Sequence, residues 1–143
     1  MKAGVRAMLV VGLVAVSAWQ AGEAAYIYTK AWLAQRLIAS AWDQARSTGA
    51  PVEPWPWADT YPVARIEAPR QRESMMVLSG ASGRTLAFGP GHVDGTPLPG
   101  GQGNSVVSGH RDTHFAFLRE LRKGDALLVQ AANGSTVRYL VAA

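Results

Sequence analysis

From Ala7 to Gly22 the chain runs for sixteen residues without a formal charge, with Lys2 and Arg6 before the run and Glu23 after it. A stretch this apolar has to be buried or taken into a bilayer, and it limits every later choice the chain can make. As a helix it would span about 24 Å, short of a hydrocarbon core of about 30 Å, so a full crossing draws Ala24 to Tyr28 into the interface. The cationic flank favours the cytoplasmic side, which sends everything after Glu23 outward; Trp19, Tyr26 and Tyr28 suit the far headgroup layer. A cleaved signal peptide is the competing reading, because the apolar core is short and Gly22 and Ala24 form an A-x-A-like pair of small residues. Residues 1–25 are therefore expected to be a single-pass anchor or signal-anchor with its N-terminus inside.

Beyond it, Ile27, Ala31, Ala34, Ile38, Ala41 and Ala45 recur at spacings of four and three, with Thr29, Arg36, Ser40, Asp43 and Ser47 opposite. That period predicts an amphipathic, membrane-proximal helix over 26–48. Its stripe is mostly alanine, with Trp32, Leu33, Leu37 and Trp42 beside it, a surface that allows close approach to another helix, to the membrane surface or, as the favoured reading, to its own domain. Gly49, Pro51, Pro54 and Pro56 then break helical geometry, so 49–61 reads as a stiff, extended Pro/Trp-rich linker with aromatic contacts and with the domain boundary inside it.

From 62 onward the pattern changes to short strands bounded by Gly, Pro or Ser. Ala64, Ile66 and Ala68 alternate with Val63, Arg65 and Glu67; Met75 to Leu78 and Ser105 to Ser108 are short runs. Ala126 to Ala132 and Ser135 to Val141 flank Asn133-Gly134, a pair that suits a tight type I′ hairpin. Between these, Asp112 or Thr113 is expected to cap a short helix with Phe115, Leu118 and Leu121 inward and Gly124 at its end. The fold class predicted for 62–143 is mainly β: a small closed or partly closed barrel with short helices. The Gly- and Pro-dense stretch from Gly89 to Gly103 is too long for an idle connection and reads as the wall of a substrate groove. His92 and Asp94 within it are candidate groove residues, although an exposed loop histidine is the ordinary alternative.

The formal net charge of +4 is scattered, with no run of five like charges, so nucleic acid is not an expected partner. The chain has no cysteine, which excludes a disulfide framework, a Cys-based zinc site and a thiol nucleophile of its own. No cofactor is implied.

His110 follows a short apolar strand and Ser108-Gly109, a position that faces a cleft in many folds; a structural histidine is the other reading. Ser108 is its nearest possible nucleophile, but residues two apart on a strand share a face at about 6.6 Å, too far for a direct Ser-His hydrogen bond. Ser105 faces the other way. Asp112 is a possible support for the His110 ring, with helix capping as an equally good account of it. Arg111 and Arg138 have salt bridges or solvent as their default. A metal site built from His110, His114 and His92 is an alternative, since three histidines hold zinc, but a cap at Asp112 or Thr113 would leave His110 outside the helix and split the pair.

The segments LAFGPGHVDGTPLPG, Leu86 to Gly100, and GNSVVSGHRDTHF, Gly103 to Phe115, together resemble the Gram-negative branch of the sortases, membrane-anchored cysteine transpeptidases. The resemblance covers most of the chain after the linker, and the anchor and Pro-Trp-rich linker fit it. It implies a sortase-like β-barrel, incomplete at its C-terminal end, and makes His110 the match to the catalytic histidine. It also implies an enzyme in which cysteine cleaves a Leu-Pro-x-Thr-Gly-like signal of an exported protein through a thioester that an amine, or water, resolves. The imidazole would favour the thiolate and protonate the departing amine, and an arginine would steady the oxyanion. The implied partners are the exported protein, an amine acceptor and the membrane, with the domain on the periplasmic or extracytoplasmic side of the cytoplasmic membrane. The family's Thr-Leu-x-Thr-Cys strand and its later arginine are absent from this sequence, so 62–143 reads as a truncated amino-terminal portion, inactive by itself. A membrane-anchored, non-catalytic peptide-binding β-domain is the non-enzymatic alternative.

Overall fold

The computed structural model describes residues 3–142. A single helix, α1 (Ala3–Thr48), carries the first third of the chain. The stretches expected as anchor and amphipathic helix are thus one continuous helix, because between Gly22 and Gly49 no proline interrupts the backbone and one glycine costs a helix only about 1 kcal/mol. The chain divides into two compact units, one ending at Ala34 and the other beginning at Gln35. Within the first, the helix is long and apolar enough to cross a membrane, and its large side chains from Val5 to Trp19 stand exposed.

In the second unit the remaining turns of α1 bury the residues that the period picked out: Ile38, Ala41 and Ala45, together with Trp42, are at most 2 % exposed. Gln35 Nε2 donates to the Phe88 carbonyl at 2.7 Å. The segment after Gly49 makes contacts with the domain. Trp55 meets Phe88 edge to face at 5.1 Å, and buried Thr60 donates through Oγ1 to Ser79 O at 2.7 Å.

Six strands follow: β1 (Pro62–Ala68), β2 (Glu73–Ser79), β3 (Gly91–His92), β4 (Val107–Ser108), β5 (Ala126–Ala131) and β6 (Thr136–Leu140). They form one sheet in the order β4-β3-β2-β1-β5-β6. All pairings are antiparallel except β2 with β3, which is parallel. A parallel pair needs a crossover. Residues 80–90 supply it through the one-turn α2 (Gly83–Leu86), capped by Ser82 Oγ accepting from Thr85 N. At the end of the crossover Gly91 lies so close to the chain that a Cβ there would overlap Gly80 O.

The sheet core is Val63, Ala64, Val77 and Val129, with Tyr61, Ile66 and Val107 packed against it. The register between β1 and β2 slips by one at Val63, a bulge that turns both Val63 and Ala64 inward. Helix α1, at 46 residues, is longer than all the strands together; the mainly β description fits the second unit.

Two local expectations change. The β5–β6 hairpin forms where expected, but Gly134 (φ 85°) has the positive φ and Asn133 does not. Gly134 N bonds Ala131 O at 3.0 Å and Ala131 N bonds Ser135 O at 2.9 Å, which makes a three-residue loop rather than a type I′ turn. After His110 there is no capped α-helix. The chain forms a short 3-10 helix, Ala116–Glu120, preceded by Phe115 and without a side-chain cap, and the buried residue is Phe117 while Leu118 is 43 % exposed.

Candidate functional site

The position of His110 is set by backbone. Strands β3 and β4 are two residues long and pair Gly91 with Ser108 and His92 with Val107; Val93 N extends the ladder to Val106 O at 2.9 Å. The Gly- and Pro-rich stretch is thus pinned at both ends and contains a strand, which a two-residue parallel pairing leaves no period to reveal. Past Ser108 the chain turns at Gly109, over which the Phe115 ring packs. A Cβ at Gly109 would lie 2.9 Å from two of the ring's carbons. The His110 carbonyl then accepts from Phe115 N at 3.0 Å and Thr113 N at 3.3 Å, closing residues 110–115 into a compact turn.

His110 itself is exposed. It lines an open cleft of about 540 Å³ with Leu86 and Ala87 of the crossover and Arg111, Asp112, Thr113 and His114 of the turn. A ring so placed is free to exchange protons with a group brought into the cleft. His114 differs from it: the ring is half-buried and its Nδ1 is buried without a hydrogen-bond partner. Burial, and then the nearby His110, lower its pKa below the ordinary imidazole value.

Asp112 neither caps a helix nor serves as a buried orienting group. Its carboxylate meets Arg111 Nε at 3.5 Å, with the two side chains 77 % and 91 % exposed, a pair of little energetic consequence. His92 is not an exposed loop residue. It is 6 % exposed on β3. Its Nε2 lies 3.0 Å from both Pro97 O and Thr96 Oγ1, and Thr96 spends its own hydrogen on Val93 O at 2.8 Å. Pro97 O can only accept, so His92 donates, as the Nε2–H tautomer, and braces the loop from inside. Asp94 is exposed on the loop, its Oδ2 near Gly80. Neither His92 nor Asp94 lines the His110 cleft. Ser108 is half-buried, Ser105 Oγ is buried without a partner, and Arg138 is exposed on β6. Among the described residues no group of three His, Cys, Asp or Glu side chains is gathered to hold a metal, and buried His92 is spent on its loop. The sequence reading missed the Gly109–Phe115 contact and the buried edge of His114; the glycine directly before His110 was the available signal for the first.

A short strand pair that delivers an exposed histidine to an open cleft, on a sheet entered by a bulged β1–β2 hairpin, belongs to a known class of domain. A family model of the sortase domain matches residues 66–143, and the chain belongs to the sortase family. Its second unit has the sortase-like curled half-barrel. Over 76 residues it is 35% identical to Sortase D of Bacillus subtilis (strain 168), covering 53% of this chain and 38% of that one. Sortase A from Corynebacterium diphtheriae superposes with a TM-score of 0.54 at 29% identity, over 61% of this chain and 43% of that one. For sortase C-1 from Actinomyces oris the values are 0.51 and 39%, over 57% and 49%. The chain thus spans less than half the length of each of these relatives.

Proposed function

We propose that these residues furnish the histidine side of a sortase-type transpeptidase site, with His110 as the proton-transferring imidazole. The carrying observation is its place: an exposed ring, two residues past β4, in a cleft within the family match. In the reaction, His110 favours ionisation of a cysteine thiol, which attacks the scissile carbonyl. The imidazolium then gives its proton to the departing amine, leaving a thioester for an amine acceptor. The substrate is an exported protein bearing a Leu-Pro-x-Thr-Gly-like sorting signal, and the assignment is to the Gram-negative branch. Residues 1–25 anchor the chain in the cytoplasmic membrane with the N-terminus inside, 26–48 and 49–61 lead away from it, and 62–143 carry the site on the far side.

The sequence has no cysteine, so the 143-residue chain binds without cutting. A second reading, a membrane-anchored non-catalytic peptide-binding domain, is supported by the open cleft beside His110. Adding a Leu-Pro-x-Thr-Gly peptide to the 15N-labelled chain in detergent micelles tests both readings. Expected are shifts at Leu86, Ala87, His110 and His114, with no cleavage product. The assignment falls if millimolar peptide leaves these signals unmoved, and the inactive state is refuted by cleavage.

A further inference from the structure

Arg111 and Asp112 are a wall shared between the His110 cleft and a second open cavity of about 580 Å³, which the transpeptidase reading leaves unused. The apolar part of this cavity is the Phe115 ring and Leu118, the latter 43 % exposed. At its other end stands Arg119, which also lines a third cleft with Arg70 and Arg122. Arg119 gives its Nε to Ala116 O at 2.9 Å, which leaves both terminal nitrogens of the fork for a ligand. Among the described residues neither Arg119 nor Arg122 makes a salt bridge. The carboxylates nearby do not cancel this charge. Asp125 is spent on Arg70 and on Arg122 N, Asp112 meets Arg111 at 3.5 Å, and Glu120 is exposed on the 3-10 helix. The three clefts thus form a track from His110 past an apolar wall to two guanidinium groups without a carboxylate.

We propose that this track is an exosite for the peptide seated at His110: an aliphatic side chain of the peptide rests on Phe115 and Leu118, and an adjoining Asp or Glu is held by Arg119, with Arg122 reinforcing it. This rests on reading the His110 cleft as a peptide site. The shared wall argues for one continuous ligand, since an extended chain advances about 3.3 Å per residue and a few residues carry it from one cavity to the next. A planar guanidinium suits a carboxylate, which it can hold through two hydrogen bonds. Exposed Asp112 adds a second discrimination, because it repels an acid placed before the shared wall and so favours one placed beyond it. A concave apolar wall takes a single side chain, whereas a bilayer surface is met by protruding apolar residues. The preferred partner is therefore a polypeptide with an aliphatic-acidic pair flanking the segment that occupies the His110 cleft.

The test is a set of 15N shift titrations of the full chain in zwitterionic detergent micelles. The probes are Leu-Pro-Ala-Thr-Gly peptides extended at the amino or the carboxyl end by Gly-Leu-Glu-Glu, and their Gly-Leu-Gln-Gln counterparts. For one of the two ends the Glu peptide should bind about fivefold more tightly than the Gln peptide at low ionic strength, as one exposed ion pair gives. It should shift Leu118 and Arg119 together with Leu86, Ala87 and His110, and the preference should shrink as salt is added. Arg119→Gln should bring the ratio of the two affinities to about one. Arg138→Gln, which removes the same charge from exposed β6, should keep it near fivefold. Equal affinities of the Glu and Gln peptides at both ends overturn the proposal, as does a preference that Arg138→Gln removes as fully as Arg119→Gln. Phosphatidylglycerol-containing bicelles that move the Arg119 and Arg122 signals while the Glu peptides leave them still would also overturn it, and would mark a lipid surface instead. Equal affinities with shifts at Leu86, Ala87 and His110 strike this proposal alone; no shift there with any peptide strikes the transpeptidase reading as well.

Discussion

Gly109→Ala is the sharpest perturbation of the site, because two opposing effects can be separated. Gly109 is not among the positive-φ glycines, so alanine meets no backbone penalty and restricts the unfolded chain, a gain of about 0.4–1 kcal/mol. Against this, the new Cβ would sit 2.9 Å from Phe115 Cδ2 and Cε2 and 3.3 Å from Cγ, where carbon pairs prefer about 3.5–4.0 Å. The ring borders an open cavity with Leu118 and Arg119, but two contacts resist its retreat. Its neighbour Phe117 stands edge to face at 6.3 Å, and the Phe115 amide is bonded to His110 O at 3.0 Å. Overpacking of this kind costs about 1–3 kcal/mol, so the net effect runs from about zero to a loss of roughly 2.6 kcal/mol. Urea unfolding of Gly109→Ala, of Phe115→Ala and of the double variant reads it. With the ring removed, Gly109→Ala should turn stabilising, by about 0.4–1 kcal/mol, and the sign change is the coupling. If Phe115→Ala alone is too unstable to measure, Phe115→Leu serves as the background. A stabilising Gly109→Ala in the presence of Phe115, or the same effect in both backgrounds, would refute the account of how the turn is built.

Gly91→Ala should be worse, since its Cβ would overlap Gly80 O and come within 3.0 Å of Ala81 Cα. With only backbone to displace, a loss of about 3 kcal/mol or more is expected, and a parental urea midpoint would contradict it. Asp125 accepts from Arg70 through both oxygens at 2.9 Å and from Arg122 N at 2.9 Å. The Arg122 backbone hydrogen bond first, then that of Arg70, lower its pKa. A carboxyl lowered on folding contributes stability above its unfolded pKa and loses it as pH falls through the folded one. Asp125→Asn should therefore be less stable than the parent at neutral pH and converge with it in acid; a gap that stays constant from pH 7 to pH 2 would sink the assignment.

The parts of the fold legible in the sequence were those with a local cause. The period of Ile38, Ala41 and Ala45 described a face that is buried, and Asn133-Gly134 marked a hairpin that forms there. The turn type was not legible, because Asn133 has a second use. Its carboxamide oxygen accepts from Ser135 N at 2.9 Å and Ser135 Oγ at 2.7 Å, so Gly134 alone takes the left-handed conformation. The inward stripe after His110 failed for a geometric reason. A 3-10 helix repeats every 3.0 residues instead of 3.6, and the change of period brings Phe117 inside and leaves Leu118 out. Strand β3 was invisible because its pairing with β2 is made by a crossover and a close approach of two glycines. Of the candidate site, the structure shows His110 exposed beside an open cleft, while the inward turn of His92 depended on Thr96 and Pro97, a contact no spacing rule encodes.

The site therefore depends on backbone more than on side-chain partners. β3 and β4 offer two paired residues each, too little to hold a histidine by strand pairing alone. What fixes His110 is the chain on either side: His92 brackets the loop through Pro97 O and Thr96 Oγ1, and the Gly109–Phe115 contact folds the following turn back onto the His110 carbonyl. A site built this way leaves the imidazole itself unencumbered, which a proton-transfer group requires and a structural histidine does not. The contrast between His92, spent on its loop, and His110, open to the cleft, is the physical argument behind the proposal that the chemistry lies at position 110.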